Sequence, residues 1–493
     1  MRQSGILMHI TSLPGPYGVG TMGASARQFI DFLASAGQSK WQVLPLTPTG
    51  FGDSPYQSCS AFAGNPYLID LQELIDEGLL EKAEADGINW SESDMRVDFG
   101  VLYEKRYGVL YKAYTRFQDQ DLLTEFCQKN SDWLPDFALY MALKEQNGGA
   151  PWYEWEAGLK YRDAETLYQA RKALRARIEY HCFVQYLFSK QWNALRSYAH
   201  ENGIGIIGDV PIYVPHDSAD VWSAPELFDL DEEGRPNRVA GCPPDAFSED
   251  GQLWGNPIYR WQQHERDGFS WWIRRMAAAQ KYYDVIRLDH FRGFESYWAV
   301  PYGDKTARGG TWEKGPGIAF FKALQKALPQ ICMIAEDLGY ITDEVKKLRQ
   351  EAGLPGMKVL QFAFDGEDSD YLPHNCTQNS VCYTGTHDNM TLFQWLEAVS
   401  ETTRARAFAY MAVDEEASFA NTVVRTAMAT VSKLCILQMQ DLLPPEAAGR
   451  MNAPGTRTTE NWTWRAPQDF MTLAKASALR EMTAVYGRLG AQK

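Results

Sequence analysis

Short runs of apolar, β-favouring residues recur from one end of the chain to the other, each followed by a polar loop and usually by helical periodicity. Eight are legible: SGILMHI (4–10), WQVLPL (41–46), IGIIGDV (204–210), DVIRLD (284–289), CMIAED (332–337), MKVLQF (357–362), VCYTGTHD (381–388) and CILQMQDLL (435–443). Strands buried on both faces read this way, and parallel neighbours need a crossover between them, usually a helix. Helical spacing over 24–36, 183–201, 317–328, 342–352 and 467–488 supplies such crossovers. Asn202-Gly203 is a helix C-terminal signal placed directly before the third run. Eight β/α units predict the α/β class and a (β/α)8 TIM barrel occupying 1–493 as a single catalytic domain. The spacing is uneven. Residues 60–180 exceed one crossover and carry Tyr103, Tyr107, Leu110, Tyr111, Tyr114 and Phe117 at helical intervals, which predicts an inserted, mostly helical subdomain. Residues 211–268, rich in Pro, Gly, Asp and Trp, predict an inserted loop subdomain on the active-site face.

In a barrel of this kind the C-terminal strand ends face the active site. Polar residues gather there: Asp209 closes the third run, Arg287 and Asp289 the fourth, Glu336 and Asp337 the fifth, His387 and Asp388 the seventh. The stretch VIRLDHFRGFES (285–296) starts as a buried strand and ends in charge. Strand alternation puts Arg287 and Asp289 on one face and Ile286 and Leu288 on the other. A neighbouring guanidinium favours the ionised carboxylate, so Asp289 is poised as base or nucleophile. Glu336 follows an apolar strand, where desolvation raises a carboxyl pKa and retains its proton. Two carboxyls with opposed environments are what cleavage of a glycosidic bond requires. Asp388 is placed to grip sugar hydroxyls, and a salt-bridged layer at the barrel rim is the purely structural alternative.

Composition narrows the class. Hydrophobic residues at 45% and charged residues at 23% are ordinary globular usage. The 13% aromatic share is high enough to fill a large core or to supply flat faces for sugar rings. A net charge of −15 without a Lys/Arg cluster argues against nucleic acid. Eight scattered cysteines, with no CxxC pair and no metal-ligand spacing, read as reduced thiols of a cytoplasmic protein. The start MRQSGILMHI is too short an apolar run for a secretory leader, and no stretch suits a membrane span. GVGTMG (18–23) matches a dinucleotide loop, but Pro14 and Pro16 separate it from its strand and no acidic residue ends WQVLPL. Asp209, Asp217, Asp220, His387 and Asp388 lack the spacing of a calcium loop. Tyr56 in DSPYQ and Trp254 in GQLWGNPIY stand beside turn residues, where a ring can meet ligand.

Eight longer motifs stand in order: SLPGPYGVGTMG, DSPYQSCSAFAGNPYLIDL, GDVPIYV, PPDAFSEDGQLWGNPIY, VIRLDHFRG, AEDLG, TGTHDN and GTRTTENWTWR. Over essentially its whole length the chain resembles the 4-α-glucanotransferases of glycoside hydrolase family 77. That resemblance implies retaining transfer of α-1,4-glucan segments between maltooligosaccharides, with Asp289 as nucleophile, Glu336 as acid/base and Asp388 as transition-state stabiliser. It implies that Arg287, His387 and Asp209 position the donor sugar, that Tyr56 stacks on its ring, and that Asp245 and Trp254 cover the acceptor side. Ser54 and Asn461 are further substrate contacts on the same grounds. No cofactor or metal is implied. The expected partners are maltooligosaccharides, glucose and α-1,4-glucans derived from starch or glycogen, with neither nucleic acid nor membrane. The N-terminal extension of some relatives is not expected here. Two alternatives stand beside this reading: an α-1,4-glucan hydrolase using the same carboxylates, and a non-catalytic glucan-binding protein on a retained barrel.

Overall fold

A computed structural model describes residues 2–244, 248–456 and 458–490. Among them are twelve strands: β1 (Gln3–Leu7), β2 (Lys40–Gln42), β3 (Gly205–Val210), β4 (Arg238–Cys242), β5 (Gln252–Pro257), β6 (Val285–Leu288), β7 (Ser296–Pro301), β8 (Thr311–Lys314), β9 (Met333–Ala335), β10 (Gly356–Val359), β11 (Ser380–Tyr383) and β12 (Leu434–Gln438). Eight of these close into a barrel in the order β1-β2-β3-β6-β9-β10-β11-β12, with every pairing parallel. The pairing of β1 with β12, from Gln3↔Leu434 to Leu7↔Gln438, joins the first strand to the last. All eight predicted runs form barrel strands. Most of their apolar residues, among them Ile6, Trp41, Ile207, Ile286, Leu288, Ile334 and Ile436, are fully or almost fully buried, as a sheet covered on both faces requires.

The ladders stop sooner than the runs. β11 ends at Tyr383, so His387 and Asp388 lie in the loop beyond it, and WQVLPL contributes only its first residues to β2. Asp289 and Glu336 are each the first residue past their strand. Both are still tied to the neighbouring strand: the Asp289 N–H donates to the Val210 carbonyl at 3.1 Å and the Glu336 N–H to the Leu288 carbonyl at 3.0 Å. These side chains therefore stand at the rim on backbone fixed by the barrel.

The crossover from β2 to β3 contains the helices Leu71–Asp76, Phe99–Arg116, Gln120–Lys129, Leu134–Gln146 and Ala164–Ala173, and returns through Arg175–Glu201. That last helix begins eight residues before the 183–201 pattern. Its opening turns carry the charge pairs Arg175–Glu179 at 2.8 Å and Arg177–Glu145 at 2.6 Å, while Tyr180 and Cys182 already pack into the core. Gly203 takes the left-handed conformation (φ +74°) at the helix end, as its C-terminal signal implies.

The 211–268 stretch is not only loop. It supplies β4 and β5, which join β7 and β8 in an antiparallel sheet of order β5-β4-β7-β8. The missing partners come from the crossover after β6, too distant in sequence to read as a hairpin with β4. GVGTMG serves packing: a Cβ on Gly20 would lie 1.9 Å from the Ile10 carbonyl, and one on Gly23 would lie 2.1 Å from the Asp70 carboxylate. Among the described residues no helix is long and apolar enough to cross a membrane.

Candidate active site

The charged end of VIRLDHFRGFES divides among several tasks. Arg287, 3% exposed and on β6, donates from Nη1 to Asp209 Oδ2 at 2.7 Å and to Asp289 Oδ1 at 3.0 Å. Burial opposes the Arg287 charge, but Asp209 and Asp289 outweigh it and raise the guanidinium pKa well above its ordinary value. Burial pushes Asp209, the penultimate residue of β3, above the usual carboxylate range against the pull of Arg287. The neighbours on β3 and β6 thus share one cation between two acids.

Glu336 is gripped by backbone N–H groups in place of a guanidinium. It is buried, and desolvation drives its pKa up to about 8; Arg287 opposes that rise and Asp289 adds to it. Two backbone donors hold the carboxyl in place: the His290 N–H on Oε2 at 2.7 Å and the Leu338 N–H on Oε1 at 3.1 Å. His290 reaches that position in the left-handed region at φ +48°, a conformation uncommon for a non-glycine residue. The residue after Asp289 therefore grips Glu336, which brings the two carboxyls to one place at the rim. The adjacent Asp337 faces away, paired with Arg349 at 3.0 Å and the Met357 N–H at 2.7 Å. Its task is to hold β10 and the helix Asp343–Glu351.

Asp388 approaches from the loop after β11. Burial would raise its pKa, but His387, Asn452 and Arg287 together reverse that and hold it at about 2. His387 Nε2 lies 3.3 Å from Oδ2 and the Asn452 amide donates to Oδ1 at 2.6 Å. The side chains of Asp289 and Asp388 are 26% and 41% exposed, so both open to the cleft while Glu336 sits behind them.

The remaining expected residues separate into groups. The Tyr56 hydroxyl donates to Asp209 at 2.8 Å, and one face of its ring is covered by His387 at 5.1 Å. Ser54 acts through Tyr56, its Oγ accepting the Tyr56 N–H at 3.2 Å. Trp254 on β5 meets the His290 ring edge to face at 4.8 Å, which sets an indole beside the Asp289 and Glu336 loops. The Asn461 amide is occupied within its own loop, accepting from the Ala453 N–H at 3.1 Å and donating to Thr456. It secures the segment that carries Asn452. Asp245 lies outside the described residues. Of the carboxylates weighed for calcium, Asp217 pairs with Lys144 at 2.6 Å and Asp220 accepts the Ala61 N–H at 2.7 Å.

Three neighbours were not singled out from sequence. Asn452 has no local signal, since it reaches Asp388 from beyond β12. Arg450 donates to the Asp388 carbonyl at 2.6 Å from the same loop. Trp462, buried at φ +69°, lies 5.8 Å from Tyr56 and 5.9 Å from His387, ring to ring. The tryptophan-rich motif GTRTTENWTWR was the signal available for it.

A (β/α)8 barrel with a buried, proton-retaining carboxyl beside an arginine-paired carboxylate at its C-terminal rim is the equipment of an enzyme that breaks and re-forms glycosidic bonds. The family model described as 4-alpha-glucanotransferase, glycoside hydrolase family 77, matches residues 8–471, and the chain belongs to that family. A 4-alpha-glucanotransferase of Aquifex aeolicus is 47% identical over 491 residues, covering 99% of this chain and 100% of its own. The 4-alpha-glucanotransferase of Thermus thermophilus is 46% identical over 504 residues, covering 99% of each chain. Among solved structures, an amylomaltase from Streptococcus agalactiae in complex with acarbose superposes with a TM-score of 0.95 at 44% identity, covering 99% of this chain and 100% of that one.

Proposed function

We propose that this chain transfers segments of α-1,4-glucan between maltooligosaccharides through a covalent glucosyl-enzyme, with Asp289, Glu336 and Asp388 as its catalytic groups. The observation that carries the reading is the opposed pair at the barrel rim: Glu336 buried with a pKa near 8, gripped by the backbone of the residue that follows an arginine-paired Asp289. Glu336 keeps a proton to deliver at neutral pH, and Asp289 is the carboxyl assigned as nucleophile. An Asp289 oxygen bonds the anomeric carbon as the bond to the departing oligosaccharide breaks, and the Glu336 proton passes to the leaving oxygen. Glu336, now a carboxylate, takes the proton of an acceptor 4-hydroxyl, whose oxygen displaces Asp289. Two inversions retain the α configuration.

Arg287, Asp209, Tyr56 and His387 form one hydrogen-bonded and stacked group that fixes the sugar being transferred, with Ser54 positioning Tyr56 and Asn461 securing the loop behind Asp388. Trp254, packed on His290, walls the side from which Glu336 delivers its proton, and a sugar ring laid against it excludes water. Asp245 belongs to the same segment of sequence and is assigned to the acceptor side. Maltodextrins, glucose and chains derived from starch or glycogen are the partners this chemistry recognises. The reaction uses only side chains of this protein, and eight scattered cysteines without a CxxC pair suit a reducing cytoplasm. Residues 1–493 then form one catalytic barrel with 60–180 and 211–268 as insertions.

The test is product analysis from maltotriose, with and without added glucose. Transfer gives glucose plus a ladder of longer chains at constant reducing-end count, and added glucose suppresses the ladder. A rise in reducing ends matching substrate loss would instead establish the hydrolase alternative.

A further inference from the structure

Behind the proton-donating carboxyl the rim carries an aromatic surface to which the reaction derived above gives no task. Trp312 on β8 and Tyr340 in the loop after β9 are 40% and 73% exposed. Both are organised around Arg292. Its guanidinium lies 3.8 Å from the centroid of the Trp312 ring and 5.4 Å from that of Tyr340, so one cation contacts both. The guanidinium also donates to the Tyr340 carbonyl and to Ser296 Oγ at 3.4 Å. Trp312 is braced at its edge by Trp298, centroids 5.2 Å apart at 67°. Gly339, at φ +81°, turns the chain so that Tyr340 is presented outward.

The position of this surface in the fold gives it meaning. Arg292 is three residues beyond Asp289 and Tyr340 is four beyond Glu336, so the two loops that carry the opposed carboxyls also carry the shelf. β8 and β5, the strand that bears Trp254, are the two outer strands of the same antiparallel sheet. Glu336 stands on the flank that delivers a proton to the leaving oxygen and later removes one from the incoming hydroxyl. Trp254 packs on His290, whose N–H holds Glu336, and Tyr340 lies four residues past Glu336, so these loops border the acid. Flat, pre-positioned rings held by a cation cost little conformational entropy when a ligand stacks on them.

We propose that Trp312 and Tyr340, fixed by Arg292, form a sugar-stacking platform for glucose units of an α-1,4-glucan acceptor beyond the one that reacts. This rests on the transfer reading above. Its consequence is a preference for acceptor length: glucose is too short to reach the platform and a heptamer is not.

The experiment compares labelled glucose with labelled maltoheptaose as acceptors from a common maltotriose donor, in the wild type and in Trp312→Ala, Tyr340→Ala and Tyr340→Phe. The expected result is a fall of about tenfold in the ratio of kcat/KM for maltoheptaose over glucose in each alanine variant, the loss of one well-placed ring contact. Tyr340→Phe, which keeps the face, restores the ratio. A ratio that stays at the wild-type value, whether both acceptors lose activity together or neither does, overturns the platform, because support of Arg292 alone affects both acceptors equally. A wild type that transfers to neither acceptor overturns the transfer reading instead. Thermal midpoints of the variants identify any loss of fold, and the exposed Tyr340 leaves one variant with no core to disturb.

Discussion

Replacing Glu336 with Gln isolates the most unusual group in the site. A carboxyl moved from 4.5 to about 8 keeps its proton in the fold at a pH where the unfolded chain has released it. The unfolded state therefore binds fewer protons between those values, and wild-type stability falls as pH rises through that window. At 1.36 kcal/mol per pH unit, the part of the window between pH ~5 and pH ~8.5 is worth roughly 4 kcal/mol. The neutral amide cannot titrate and escapes this loss. It pays another cost: both Glu336 oxygens accept backbone N–H groups, from His290 and Leu338, and the amide NH2 must face one of them, at about 1–3 kcal/mol. That cost is the same at every pH, so it shifts the curve without tilting it. With roughly 2.1 cal/mol/K of unfolding entropy per residue and 493 residues, 4 kcal/mol corresponds to about 4 °C in Tm. The assay is differential scanning fluorimetry of wild type and Glu336→Gln from pH ~5 to pH ~8.5. The variant should gain about 4 °C on the wild type across that range while kcat/KM falls by about 10²–10⁴, the usual worth of a general acid. Parallel Tm curves would mean that Glu336 is already ionised in the fold, and the acid role would fall with it.

Three further outcomes follow from the same geometry. In the wild type the alkaline limb of kcat/KM should fall near pH 8, where Glu336 loses its proton, and an α-maltosyl fluoride donor, whose leaving group needs no protonation, should flatten that limb in a pH–rate series. Arg287→Ala leaves the buried Asp209 carboxylate without its cation and should cost about 3–5 kcal/mol of stability, read as a lowered thermal midpoint together with loss of transfer. Trp254→Ala opens the wall beside His290 and should raise the hydrolysis-to-transfer ratio several-fold, measured as reducing ends formed per maltotriose consumed; an unchanged ratio assigns water exclusion elsewhere.

The barrel was legible because its signal is local. Eight apolar runs with polar ends announce parallel strands, and acids at those ends announce a rim that does chemistry, all within a few residues of chain. Alternation even foresaw that Arg287 and Asp289 would meet. What the pattern missed depends on contacts between distant segments. β7 and β8 were invisible because an antiparallel ladder is completed only by its partners, and here those are β4 and β5 from an earlier crossover. Asp337 resembles Glu336 in sequence, yet one pairs with Arg349 and the other is gripped by the His290 and Leu338 N–H groups beside Asp289. Asn452 and Trp462 reach the site from past the last strand. Sequence by itself determined the strands, the order of the rim acids and the kind of bond they could attack. Tertiary structure decided that Glu336 keeps its proton and that Asp388 gives its up, because a pKa is set by the burial and charges that other segments bring to the group.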